Sequence, residues 1–191
     1  MKFTRFLSLL GCLLLVSGAA HAKLIYEGTM AGTNEVPANG STATGFTSVV
    51  VDGDLMTVHV TWSGLTGGTA AAAHIHCCTP LGSNVNVAVG FNGFPAAAAG
   101  TFDGSFNLLN AAIYTASFLN NFGGGTAAGA MAALINGLNS GMAYSNIHNA
   151  QFPGGEIRAN LVRVDEPATR WLLVAACGAF AVVRRRAFFR G

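Results

Sequence analysis

Thr44-Gly45-Phe46-Thr47-Ser48-Val49-Val50-Val51-Asp52-Gly53-Asp54-Leu55-Met56-Thr57-Val58-His59-Val60-Thr61-Trp62 is the stretch that decides the fold. In its second half Met56, Val58, Val60 and Trp62 alternate with Thr57, His59 and Thr61. Period-two alternation is the mark of a strand with one dry face and one wet face. The first half is rich in Thr and Val, residues that suit a pleated surface. Between the halves, Asp52-Gly53-Asp54 supplies tight-turn chemistry, with Gly able to take a positive φ. The reading is a β-hairpin with strands over 44–51 and 55–62. His59 lies on its solvent face and reads as a surface residue.

Similar signals repeat on either side. Residues 63–68, Ser-Gly-Leu-Thr-Gly-Gly, are a loop. Further strands are expected over 70–76, over 84–91 (Val85, Val87 and Val89 against Asn84, Asn86 and Ala88) and over 101–108. Then the period changes. Ala127, Ala130, Met131, Leu134, Ile135 and Leu138 recur at helical spacing, with Thr126 as N-cap. Residues 116–122 form a helical turn before the Gly123-Gly124-Gly125 break. Strands over 142–148 and 156–162 close the domain as a hairpin around 149–155. Seven or so short strands with Gly-rich turns predict an all-β domain. Its architecture is a Greek-key β-sandwich or flattened barrel with a short helical insertion near 116–138.

The two ends read as address labels. Lys2 and Arg5 precede an apolar run over 6–17, and Ala20-His21-Ala22 forms a small-x-small cleavage signature. Residues 1–22 are therefore expected to be a signal peptide removed by signal peptidase. At the other end, Asp165-Glu166-Pro167-Ala168-Thr169 leads into an apolar stretch over 171–183, followed by Arg184, Arg185 and Arg186. About 13 apolar residues fall short of the ~20 that span a bilayer as a helix. The basic end would face the cytoplasm.

This order of parts over 165–191 resembles the PEP-CTERM sorting signal of Gram-negative bacteria, with Glu166-Pro167 as the motif and Asp165 where a first proline is usual. The resemblance implies recognition by an exosortase, a transient stage at the inner membrane, and delivery to the cell surface or extracellular matrix.

Residues 23–164 remain as one domain of ordinary size. Its cations are Lys23, Arg158 and Arg163, and its acids are Glu27, Glu35, Asp52, Asp54, Asp103 and Glu156, a net of −3. The whole chain's +2 belongs to its ends, so a nucleic-acid partner has no electrostatic support. Scarce charge with abundant Gly, Ala, Thr, Ser and Asn suits an extracellular β protein.

Two segments carry the unusual chemistry. In Ala73-His74-Ile75-His76-Cys77-Cys78, residues i and i+2 share a strand face, so His74 and His76 point the same way. Two imidazoles on Cα atoms ~7 Å apart can chelate one Cu or Zn ion. In the closing hairpin, a loop over 149–155 pairs His148 with Glu156 and Asn146 with Arg158. That predicts a polar cluster of Asn146, His148, Glu156 and Arg158, in which Glu156 accepts from His148 and fixes its tautomer. An ion pair of Glu156 with Arg158 that orders the sheet is the alternative. Tyr144 shares the His148 face, and Glu35 either caps a backbone amide or approaches this site. Cys77 and Cys78 are expected to close a vicinal disulfide in an oxidising compartment, with free thiols or metal thiolates as the alternatives.

Four ordered motifs resemble the CHRD domain, named for its occurrence in chordin. They are Glu35-Val36-Pro37, Ala73-His74-Ile75-His76, Gly141-Met142-Ala143-Tyr144-Ser145-Asn146-Ile147-His148, and Pro153-Gly154-Gly155-Glu156-Ile157-Arg158. Ala38, Asn149 and Ala159 replace a usual proline, threonine and glycine. The resemblance implies an immunoglobulin-like or superoxide-dismutase-like β fold and no established activity.

No hydrolase nucleophile motif, phosphate loop or nucleotide fingerprint is present. The expectation is a non-enzymatic exported protein whose β domain binds matrix or surface components, with no catalytic residues. The alternative is a Cu or Zn protein using His74, His76 and His148, with dismutase-like redox activity.

Overall fold

Gly53, at φ +63°, turns the chain between β2 (Thr44–Asp52) and β3 (Leu55–Ser63). The two strands pair antiparallel from Thr44 opposite Ser63 to Asp52 opposite Leu55. Val49, Val51, Met56, Val58, Val60 and Trp62 are all buried, as the alternation requires. Burying each side chain of that size contributes about 1.5–3 kcal/mol. The computed structural model describes residues 23–164. The expected signal peptide over 1–22 and the sorting tail over 165–191, with Glu166 and Pro167, lie outside the described residues.

The other strands are β1 (Leu24–Ala31), β4 (Ala72–Cys77), β5 (Val87–Gly90), β6 (Gly100–Asn107), β7 (Ala143–His148), β8 (Ile157–Asn160) and β9 (Val162–Val164). All pairings among these strands are antiparallel. Their order is β5-β4-β7-β8-β1-β2-β3-β6, with β9 also on β1. The connections β3 to β4 and β6 to β7 cross over. The sheet curls until its two ends meet through side chains. Phe91, just past β5, stacks on Phe102 of β6 at 5.4 Å between ring centroids, and Phe94 stacks on Trp62 at 4.4 Å. Leu65 N and Ala70 N donate to the Ala98 and Ala97 carbonyls across the same seam. The result is the all-β flattened barrel or sandwich that the alternation implied.

The helical insertion is α1 (Ala116–Asn121) and α2 (Ala127–Asn139). Thr126 caps α2, its hydroxyl accepting from Gly129 N at 3.1 Å. Ala130, Leu134 and Leu138 bury the inner face.

Three expectations need correction. β1 carries no clear alternation, so the sequence pattern does not mark it as a strand. Gly28 sits at its centre because a Cβ there would collide with the Asn160 carbonyl. The strand expected over 84–91 shrinks to Val87–Gly90, because Val85 gives its backbone to His76 and Tyr144 side chains instead of a ladder. The strand expected over 156–162 breaks at Leu161, where β8 leaves β7 and β9 joins β1.

Candidate metal centre

β4 and β7 are neighbours, and their register assembles the site. Ala72 lies opposite His148, His74 opposite Asn146, and His76 opposite Tyr144. Alternate residues Ala73, Ile75 and Ile147 point into the core and are buried. That leaves His74, His76, Tyr144, Asn146 and His148 on the other face. Ring centroids lie 4.9 Å apart for His74 and His148, 5.7 Å for His74 and His76, and 6.0 Å for His76 and His148. One ligand nitrogen from each of the three comes within 4.8 Å of the others.

Backbone carbonyls set two of the rings. His76 Nδ1 donates to the Val85 carbonyl at 2.7 Å, and His148 Nδ1 donates to the Pro153 carbonyl at 2.9 Å. A carbonyl oxygen only accepts, so each Nδ1 carries the hydrogen and each Nε2 keeps its lone pair. His74 Nδ1 and His76 Nε2 are buried and have no hydrogen-bond partner. Burial, helped by mutual repulsion with the His148 and His76 rings against charging, pushes His74 down to about 4. Burial likewise pushes His76 down to about 4, against the lift from Val85, and lowers His148. The neutral imidazole that results is the metal-binding form. Tyr144 stacks on His76 with centroids 4.6 Å apart, and the Arg158 guanidinium lies 3.5 Å over the Tyr144 ring.

The expected polar cluster divides in two. Asn146 does pair with Arg158, and its Oδ1 lies 2.9 Å from His148 Nε2. Glu156 does not join them. The β7–β8 ladder ends at Ile147 opposite Ile157, and the Glu156 carboxylate turns to other donors. Ser41 Oγ (2.6 Å), Thr66 N (2.6 Å), Thr66 Oγ1 (2.8 Å), Gly67 N (3.3 Å) and Asn149 Nδ2 all donate to it. Burial alone would raise its carboxyl, but the Ser41, Thr66 and Gly67 bonds outweigh it and hold the group below its ordinary value. So His148 is oriented by Pro153, not by Glu156.

Nor does Arg158 pair with Glu156. Its carboxylate partner is Glu35, with Nε 3.3 Å from Oε2, and it also donates to the Ser83 carbonyl and Asn84 Oδ1. Burial raises the Glu35 carboxyl, with Arg158 and Asn146 pulling it back. Glu35 therefore approaches the site from the loop after β1. The Glu-Val-Pro turn was its only sequence signal.

Cys77 and Cys78 are joined in a vicinal disulfide next to His76, so their sulfurs are not thiolate ligands. His59 stands apart on the outer sheet face, exposed and 2.7 Å from Asp103 Oδ1.

A family model described as CHRD domain matches residues 26–161 of the chain. No curated protein matches it, and no solved structure does.

Proposed function

The chain belongs to the CHRD domain family, and from that premise we propose that it is a non-enzymatic exported β domain that binds one Cu or Zn ion through His74, His76 and His148. One observation carries the reading: His76, which is buried, and His74 and His148, which are half-buried, bring ligand nitrogens within 4.8 Å of one another. Among the described residues five buried side-chain polar atoms lack a hydrogen-bond partner, and two of them, His74 Nδ1 and His76 Nε2, belong to this cluster, where leaving each so costs about 1–3 kcal/mol. A bound ion would satisfy both. The site offers nitrogen donors on a rigid sheet, which suits sequestering or cross-linking metal better than turnover. A dinuclear dismutase-type centre has less support, because His59 and Glu156 are held elsewhere.

Export to the surface or matrix rests on the two terminal address labels. Its partners would be signal peptidase and an exosortase in transit, then matrix or surface components.

Elemental analysis of the purified mature protein tests the metal reading. About one equivalent of Cu or Zn should bind in the wild type, and His74→Ala and His76→Ala should each abolish it. A trace of metal unchanged by both substitutions would end the proposal.

A further inference from the structure

β6 ends the sheet on one side and pairs only with β3, in an unbroken register from Leu55 opposite Asn107 to Trp62 opposite Gly100. Among the described residues, its one further backbone bond is the one that the Asn107 carbonyl accepts from Asn110 N. The second edge of β6 therefore presents a row of N–H and C=O groups without a protein partner. The other end of the sheet is treated differently. β5 has only four residues, Thr115 N and Oγ1 donate to its Ala88 and Val87 carbonyls, and Tyr114 bridges Val89. Native edges are ordinarily short, bulged, covered, or guarded by Lys or Pro. β6 has eight residues and no bulge, Lys or Pro, and its single charge is Asp103.

Residues 101–107 read Thr-Phe-Asp-Gly-Ser-Phe-Asn, a pattern symmetric in character about Gly104. Phe102 and Phe106 face the core, 8% and 9% exposed, while Thr101, Asp103, Ser105 and Asn107 are exposed on the outer face. Both rings close over Gly104, where a Cβ would come within 2.8 Å of each. Antiparallel pairing sets residues of one face opposite each other, so a strand that pairs with its own copy keeps phenyls on the inner side. A two-fold axis at Gly104 puts Phe102 against Phe106 of the second copy and Asp103 against Ser105. An axis at Asp103 would bring two carboxylates together and face each phenyl with a glycine. An axis at Ser105 would face Phe106 with Gly104, and Phe102 with Leu108, which is fully buried and whose N–H already donates to the Asp54 carbonyl.

We propose that β6 is a dimerisation edge that pairs antiparallel with β6 of a second copy of this chain, about a two-fold axis at Gly104. The two sheets would then run on through β3-β6-β6-β3, with the same patch used on both subunits. Aromatic cross-strand pairs on the inner face and charge-to-hydroxyl pairs on the outer face favour this register over its neighbours. The interface is separate from the metal reading, whose histidines stand on β4 and β7.

Sedimentation equilibrium of the mature protein, from micromolar to sub-millimolar concentration and with and without a chelator, tests the assignment. The wild type should reach twice the monomer mass, reversibly on dilution and unchanged by the chelator. Ser105→Asp sets a carboxylate opposite Asp103 twice in the dimer, and should weaken it about 3–30-fold. A mixture of Asp103→Cys and Ser105→Cys chains should cross-link under mild oxidation, while neither variant alone does. Cross-linking of Asp103→Cys alone, or a dimer indifferent to Ser105→Asp, overturns the proposal. So does a wild type that stays monomeric, one that dissociates when metal is removed, or one that grows into open chains, as pairing of β6 with β9 would give. Should the variants not fold, amide hydrogen exchange of the wild type decides. Exchange over 101–107 that slows as concentration rises supports the edge, and exchange there that ignores concentration overturns it.

Discussion

Arg158 and Glu35 form an ion pair, 3.3 Å from Nε to Oε2, with side chains only 2% and 4% exposed. The pair ties β8 to the loop after β1, and the Arg158 guanidinium also covers Tyr144, which in turn stacks on His76. It therefore supports the wall of the histidine site without touching an imidazole nitrogen. Removing one partner of a buried pair strands the other charge, which costs about 3–5 kcal/mol.

Arg158→Met should accordingly lower the unfolding free energy by about 3–5 kcal/mol in a urea titration. Glu35→Gln should cost less, because an amide oxygen still accepts from the guanidinium. An effect of Arg158→Met below that of Glu35→Gln would show that the pair is not what holds this region.

Gly137 of α2 packs directly on the disulfide. A Cβ at this position would overlap both Cys77 Sγ and Cys78 Sγ. In an exposed helix interior, Gly to Ala gains about 1 kcal/mol. Here overpacking should reverse the sign, for a net loss of about 1–3 kcal/mol. Thermal denaturation of Gly137→Ala checks this, and a raised melting temperature would contradict the close approach of α2 to the cysteines.

The metal-free domain should lose stability on acidification over a defined window. His74 and His76 titrate near 6.5 when unfolded and at about 4 in the fold. Between those values the unfolded chain binds more protons, so stability falls as pH falls. The contribution is complete above about 6.5 and is lost as pH drops through about 4. His148, also lowered by burial, acts in the same sense. The raised Glu35 carboxyl acts oppositely, since the fold takes up that proton first. Three imidazoles against one carboxyl leave a net decline. Denaturation midpoints at pH 7.5, 6 and 5 should decrease in that order and converge in a His74→Gln/His76→Gln double variant. A flat profile in the wild type would mean that the fold does not hold these rings neutral.

How much of this was legible in the sequence depends on the range of the interactions. The β2–β3 hairpin is readable because alternation and Asp52-Gly53 are local signals, and Thr126 is readable as a cap for the same reason. The shared face of His74 and His76 follows from strand geometry alone. β1 is not readable, because Gly28 replaces a side chain where another strand's backbone comes close. The termination of β5 at Val87 depends on side chains of His76 and Tyr144. The destination of Glu156 is the clearest case. Hairpin register places it beside His148, but its donors come from positions 41, 66, 67 and 149. Three of those four lie far away in the chain, and no local pattern announces them.

Glu156 also supplies a direct check on that correction. A carboxylate orienting a metal-bound imidazole would, on removal, weaken metal binding about 10–100-fold. Here the carboxylate instead gathers the loop residues Ser41, Thr66 and Gly67. Glu156→Gln places an amide NH2 among donors and leaves one of them without an acceptor. Losing a charge-assisted bond of this kind costs about 1.5–3 kcal/mol. The variant should therefore be less stable to urea by about that amount, while its Cu or Zn affinity at pH 7.5 stays within a few-fold of the wild type. A large drop in metal affinity with little change in stability would return Glu156 to the His148 site.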